Sequence, residues 1–230
     1  MRTPQTMPGA TMFHLKVCGL KNVANAVAVS AAGADALGLN FYPQSKRRVD
    51  LPTAEKIADA VRGRSQLVGL FVNAPLEEIV QTHQQVGFDW IQLHGDEPYA
   101  FAEQLHQATG LPILAACRGS LCRWQIPQGS TFVPHATLLD AAVPGAYGGT
   151  GHLADWQLAA GWRASGTQNL VLAGGLTAQN VAEAISAVRP VAVDVAGGVE
   201  NKEQPGLKNL AKVESFIAAA QTAFAQVAAD

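Results

Sequence analysis

The 230-residue sequence predicts a single-domain (β/α)8 barrel, an α/β fold of the TIM-barrel kind. Three observations point there. Short apolar runs alternate with longer helix-like stretches from Phe13 onwards, the rhythm of a parallel sheet with crossover helices. Runs such as Leu67–Val72 and Leu170–Ala173 are apolar on both alternating faces, as strands must be when a filled interior covers one side and helices the other. Glycine-rich loops also come late in the chain, whereas an open doubly wound sheet would place Gly-x-Gly-x-x-Gly after an early strand. The first run here ends Val17-Cys18-Gly19-Leu20 instead.

The expected strands are, in order, Phe13–Cys18, Ala36–Phe41, Leu67–Val72, Trp90–Leu93, Ile113–Ala116, Ala136–Leu139, Leu170–Ala173 and Val191–Val195. Helices are expected between them. Asn22–Ala31 is alanine-rich with apolar spacing, Pro52-Thr53-Ala54-Glu55 places Thr53 as a cap, and Thr177-Ala178-Gln179-Asn180 opens another helix. Gly119, Pro127, Gly129 and Pro134 interrupt any long periodicity after the fifth strand, so a helix there should be short. Residues 1–12 read as a flexible N-terminal extension and residues 13–230 as the barrel domain.

Composition narrows the function classes. The hydrophobic fraction is 48% and the charged fraction 15%, as suits a sizeable core with helices packed on a buried sheet. With 16 Lys and Arg against 18 Asp and Glu, and no basic stripe with interleaved aromatics, nucleic acid is excluded as a partner. The opening residues match neither a signal peptide nor a membrane span, so a cytoplasmic location and no membrane contact are expected. The 3 cysteines form no Cys-x-x-Cys pair and the histidines show no metal spacing, which suggests reduced thiols and no metal.

Barrel active sites lie at the C-terminal ends of the strands. The polar residues there are Cys18, Arg47, Asn73, His94, Asp96, Asp140 and Asp194. Cys18 ends an apolar strand beside a glycine and reads either as inert filling or as a reactive thiol. Asp140 must be paired or functional, and acid or base is its natural role. Asp194 alternates out of the apolar pattern and suits a structural contact or a ligand hydroxyl equally. The loops after the last three strands carry Gly149, Gly174, Gly175, Gly197 and Gly198, where backbone N–H groups can approach a phosphate. A small phosphorylated substrate is the expected partner.

Several segments also carry a family likeness. They include Lys16-Val17-Cys18-Gly19-Leu20, Ser45-Lys46-Arg47, Gln92-Leu93-His94-Gly95, Leu138-Leu139-Asp140 and Tyr147-Gly148-Gly149-Thr150-Gly151. Further on come Ala173-Gly174-Gly175-Leu176 and Val193-Asp194-Val195 followed by Gly198-Val199-Glu200. In this order they resemble the phosphoribosylanthranilate isomerase family of tryptophan biosynthesis, over the chain from Phe13 to about Phe216. The resemblance implies an Amadori rearrangement needing no cofactor, with Asp140 as general acid and Cys18 as general base. It also implies that Arg47 grips the substrate's anthranilate carboxylate, that Asp194 contacts a sugar hydroxyl, and that the protein works as a monomer or homodimer. Ala196-Gly197 stands where the family usually has Ser-Ser, which leaves backbone donors for the phosphate. A histidine-pathway sugar isomerase is the rival within the fold, but that chemistry uses two aspartates and Cys18 occupies the first position. A phosphosugar-binding barrel without activity is the rival from another class.

Overall fold

The computed structural model describes residues 11–119, 127–141, 153–167, 169–201 and 203–229. Eight parallel strands close into a barrel: β1 (Leu15–Cys18), β2 (Ala36–Asn40), β3 (Gln66–Phe71), β4 (Trp90–Leu93), β5 (Ile113–Arg118), β6 (Ala136–Asp140), β7 (Leu170–Leu172) and β8 (Ala192–Val195). β1 pairs with both β2 and β8, which completes the ring. Outside it lie α1 (Val23–Ala31), α2 (Leu51–Val61), α3 (Leu76–Val86), α4 (Tyr99–Thr109), α5 (Trp156–Ala164), α6 (Val181–Val188) and α7 (Leu210–Ala229). No helix stands between β5 and β6 among the described residues; residues 120–126 of that connection lie outside them. After β8 the chain makes a short 3-10 turn (Gly197–Val199) and an antiparallel pair, β9 (Glu200–Asn201) and β10 (Gln204–Lys208).

Local chemistry explains where the helices start and stop. Asn22 caps α1 by accepting from Asn25 N, and Asp50 caps α2 by accepting from Thr53 N at 2.8 Å. Thr53, the expected cap of α2, is therefore inside the helix. Pro52 contributes no N–H to the first turn, and the carboxylate two residues earlier meets the first donor left open. α3 and α4 end on Gly87 and Gly110 in the left-handed region.

Alternation sorts the side chains. Leu15, Val17, Leu37, Leu39, Ile91, Leu93, Val193 and Val195 face the helices in the outer core layer. Ala36, Val68, Trp90, Leu114, Ala136, Val171 and Ala192 fill the barrel interior, with Phe13 packed edge-on to Trp90 at 5.5 Å. Towards the C-terminal ends the inward positions turn polar: Lys16 and Cys18 on β1, Gln92 on β4, Asp140 on β6 and Asp194 on β8. The fold thus closes its lower barrel with apolar packing and presents ionisable groups only at the mouth. Among the described residues no helix is long and apolar enough to cross a membrane.

Candidate active site

The mouth holds a cavity of about 710 Å³, counting its opening to solvent. Its walls include Cys18, Arg47, Gln92, His94, Asp140 and Asp194, together with Gly174, Gly175, Gly197 and Gly198. Each side chain is delivered by a strand end or by the loop that follows it, so the rigid barrel sets their spacing.

On one arc, Lys16 and Asp194 are register partners across β1 and β8, and their side chains form an ion pair at 2.9 Å. Lys16 is fully buried and Asp194 nearly so. Burial opposes the Lys16 charge, yet Asp194 and Cys18 together hold its pKa above the ordinary lysine value. Cys18 stands two residues further along the same inward face. Burial pushes its thiol up, while the charges of Lys16 and Lys208 pull the other way. Its register partner on β2 is Gly38, where an added Cβ would fall 2.6 Å from the Cys18 sulfur. A glycine at 38 is therefore what gives the thiol its place.

Across the mouth, Asp140 ends β6 and accepts from the Ala141 backbone N–H at 2.8 Å. His94 Nε2 lies 3.4 Å from its other oxygen, and Gln92 holds His94 Nδ1 at 2.7 Å. Gln92 and His94 are both buried, and Gln92, His94 and Asp140 line the wall as a polar row.

Between these arcs, Arg47 reaches in from the loop after β2. Glu200 takes two points of its guanidinium, Nε to Oε1 at 2.7 Å and Nη2 to Oε2 at 2.8 Å. The same carboxylate accepts from Lys208 Nζ at 2.8 Å and from Gly206 N at 2.9 Å. Gly19, at φ 83°, lets the Arg47 stem cross the end of β1, since a Cβ there would meet Arg47 Cδ at 2.6 Å. Burial alone would raise the Glu200 carboxyl, but Arg47 and Lys208 outweigh it and bring it from 4.5 to about 2. A carboxylate held below its unfolded value stabilises the fold above that value and loses the contribution as pH falls through the folded one. Glu200 should thus supply about 3 kcal/mol at neutral pH that disappears between about pH 5 and pH 2. Urea unfolding of Glu200→Gln across that range is the check: the variant should be weaker than the parent at pH 7 and should approach it at pH 2 to 3. An equal gap at both pH values would contradict the assignment.

Comparison with known proteins decides what this barrel is. The family model for N-(5'-phosphoribosyl)anthranilate isomerase matches residues 15–219. The chain belongs to that family. It is 43% identical over 213 residues to the N-(5'-phosphoribosyl)anthranilate isomerase of Myxococcus xanthus, covering 91% of this chain and 96% of the relative. It is 44% identical over 210 residues to that of Neisseria gonorrhoeae, with 90% and 96% covered. The phosphoribosyl anthranilate isomerase of Thermotoga maritima superposes with a TM-score of 0.78 at 32% identity, over 92% of this chain and 100% of that one. A further solved isomerase, at TM-score 0.75, 31% identity and the same coverages, is in complex with reduced 1-(o-carboxyphenylamino)-1-deoxyribulose 5-phosphate. Monomers generated from the dimeric phosphoribosylanthranilate isomerase of Thermotoga maritima are also among the structural neighbours.

Within the family frame, the residues picked out by sequence separate into those at the pocket and those in loop ties. Cys18, Arg47, Asp140, Asp194, Gly174, Gly175, Gly197 and Gly198 all line the one cavity. Gly149 lies outside the described residues. The glycines differ in their reasons. Gly174 and Gly175 have positive φ, and a Cβ at Gly198 would collide with the Leu176 carbonyl, so turn geometry and loop packing already demand three of them. Gly197 has neither constraint; a Cβ there would meet only Arg47 Nη2, at 3.3 Å, so its smallness keeps space beside the guanidinium. Asn73 and Asp96 are loop ties outside the cavity wall: Asp96 N donates to Asn73 Oδ1, Asn73 N donates to buried Glu97, and Arg118 pairs with Asp96 at 2.6 Å. Cys117, expected as a reduced thiol, is disulfide-bonded.

Sequence reasoning missed Lys16, Gln92, Glu200 and Lys208, and it gave His94 no role. The available signal was polarity at inward positions. Lys16 and Gln92 each interrupt an apolar strand at the parity of Cys18 and His94, and buried charge is costly enough to require a reason.

Proposed function

We propose that this chain converts N-(5-phosphoribosyl)anthranilate into 1-(2-carboxyphenylamino)-1-deoxyribulose 5-phosphate, the Amadori step of tryptophan biosynthesis. The observation that carries the reading is the placement of Cys18 and Asp140 on different arcs of one cavity, with glycine loops forming another part of its wall. Family membership supplies the reaction to which such a pair answers.

The chemistry requires one proton in and one proton out. Asp140 gives a proton to the furanose ring oxygen, the C1–O bond breaks, and a Schiff base forms between C1 and the anthranilate nitrogen. The Cys18 thiolate then takes the proton from C2, and the electron pair moves to give an enolamine that tautomerises to the ketone. No external oxidant or reductant is needed, since C1 is reduced as C2 is oxidised within one molecule. The Gln92–His94 pair stands beside the Asp140 carboxyl, with His94 Nε2 at 3.4 Å. Backbone N–H groups around Gly174, Gly175, Gly197 and Gly198, together with Gly149, take the phosphate, and Asp194 accepts from a sugar hydroxyl. Its Oδ1 is buried without a hydrogen-bond partner from the protein, which supports that role.

Arg47 grips the anthranilate carboxylate while Glu200 fixes its orientation. Arg47→Ala should raise KM about tenfold to a hundredfold, the equivalent of a lost charge-assisted contact, with a smaller change in kcat. Steady-state kinetics test this, and an unchanged KM would place the carboxylate elsewhere. The function itself is testable by expressing the chain in a tryptophan auxotroph lacking the isomerase, where growth without tryptophan is the expected result and failure of a well-expressed soluble chain the contrary one. The protein works in the cytoplasm as a monomer or homodimer, with residues 1–12 an extension ahead of one catalytic barrel.

A further inference from the structure

We infer that Lys16 is the positioning residue that eases loss of the proton from the Cys18 sulfur, its ammonium fixed by Asp194 one step below the thiol on the inward face of β1. The inference rests on the reading of Cys18 as the base. A buried thiol is a poor base, because taking charge out of water favours the protonated form. Some cation must offset that burial if the sulfur is to accept a proton from carbon.

Four charged side chains from different elements act on Cys18. They are Lys16 on β1, Asp194 on β8, Lys208 on β10 and Arg47 after β2. Arg47 and Lys208 share the Glu200 carboxylate at 2.7 and 2.8 Å, in hydrogen bonds that point their donors at Glu200. Lys16 differs. It is fully buried, its ammonium is 2.9 Å from Asp194, and yet it makes no well-directed hydrogen bond there. Its N–H donors are thus not used up by the carboxylate. A buried ion pair is also an unpromising stability device, since its desolvation offsets most of its attraction and apolar residues commonly replace it without loss. Its neighbour across β2, Ala36, is small and apolar, and would pack equally well against an apolar side chain at 16. What an apolar side chain would not do is lower the cost of a thiolate two residues away.

The test is the pH dependence of Cys18 alkylation by iodoacetamide, followed at the Cys18 peptide by mass spectrometry, so that turnover is not the readout. In Lys16→Met the rate at pH 7 should fall about tenfold or more, with the whole profile displaced to higher pH, because only the thiolate reacts. Lys16→Arg retains the charge and should stay within about threefold of the parent. A Lys16→Met profile that overlays the parent's overturns the inference. Should the single variant not fold, Lys16→Met combined with Asp194→Asn removes both charges and leaves neither buried alone. Slower Cys18 alkylation at pH 7 is again expected, because the lysine outweighs the aspartate at the sulfur, and an equal or faster rate is contradictory. Assaying the parent on phosphoribosylanthranilate separates the two claims. Parent turnover with a Lys16-independent alkylation profile refutes the role of Lys16, whereas Lys16-dependent alkylation without turnover refutes the proposed reaction.

Discussion

Cys18→Ala should lower kcat by about 10²–10⁴, the range lost when a general base is removed, while the fold and the affinity for phosphosugar ligands stay close to those of the parent. The thiol is small and sits in a minor apolar cluster with Leu70 and Val72 at the mouth, so its loss leaves the two main core layers intact. Cys18→Ser is the sharper variant because it preserves shape against Gly38 and replaces only the proton acceptor. A hydroxyl is a far weaker base than a thiolate near neutral pH, so the serine variant should be nearly as impaired as the alanine one. Calorimetric binding of a reduced product analogue, measured beside kcat, tells a chemical defect from a binding defect. A serine variant with parental kcat would remove Cys18 from the mechanism.

Asp140→Asn should cost a similar 10²–10⁴ in kcat with KM little changed, since the amide keeps the size and the contact to Ala141 N and deletes only the exchangeable proton. The pH profile adds a second readout. Burial holds the Cys18 thiol above its ordinary value, so kcat/KM of the parent should climb with pH as the thiolate forms, and Asp140→Asn should keep that climb at a much lower level. His94 supplies an internal comparison. It lies 3.4 Å from Asp140 and carries neither of the two proposed proton transfers, so His94→Asn should reduce kcat by less than Asp140→Asn does. Parental kcat in Asp140→Asn would show that another group protonates the ring oxygen.

The barrel was legible in the sequence because both of its periodicities are strong. Eight apolar runs fall where the eight strands lie, and of the seven polar residues at their C-terminal ends all but Asn73 and Asp96 line the mouth. What sequence could not supply was any contact that depends on closure. Lys16 and Asp194 are 178 positions apart, and only the pairing of β1 with β8 makes them register partners. Arg47 was legible as a carboxylate ligand, but its partner Glu200 sits beyond β8 in a short antiparallel pair that the apolar pattern did not announce, since Gln204–Lys208 is mostly polar. The glycines were read collectively as a phosphate cradle. In the structure three of the four described ones are demanded by backbone geometry or loop packing, and only Gly197 is small chiefly for the space it leaves. The cap of α2 shifted from Thr53 to Asp50 for a local reason, the missing N–H of Pro52, which a residue-by-residue pattern weighs too lightly.

The most direct test is the fluorescence decay of freshly prepared phosphoribosylanthranilate on addition of the purified protein, coupled to the next enzyme that consumes the rearranged product. Rapid, saturable loss of signal in the parent, reduced at least a hundredfold in both Cys18→Ser and Asp140→Asn at unchanged folding, is the expected result. A parent protein that binds the reduced product analogue but leaves the fluorescence decaying at its spontaneous rate would contradict it.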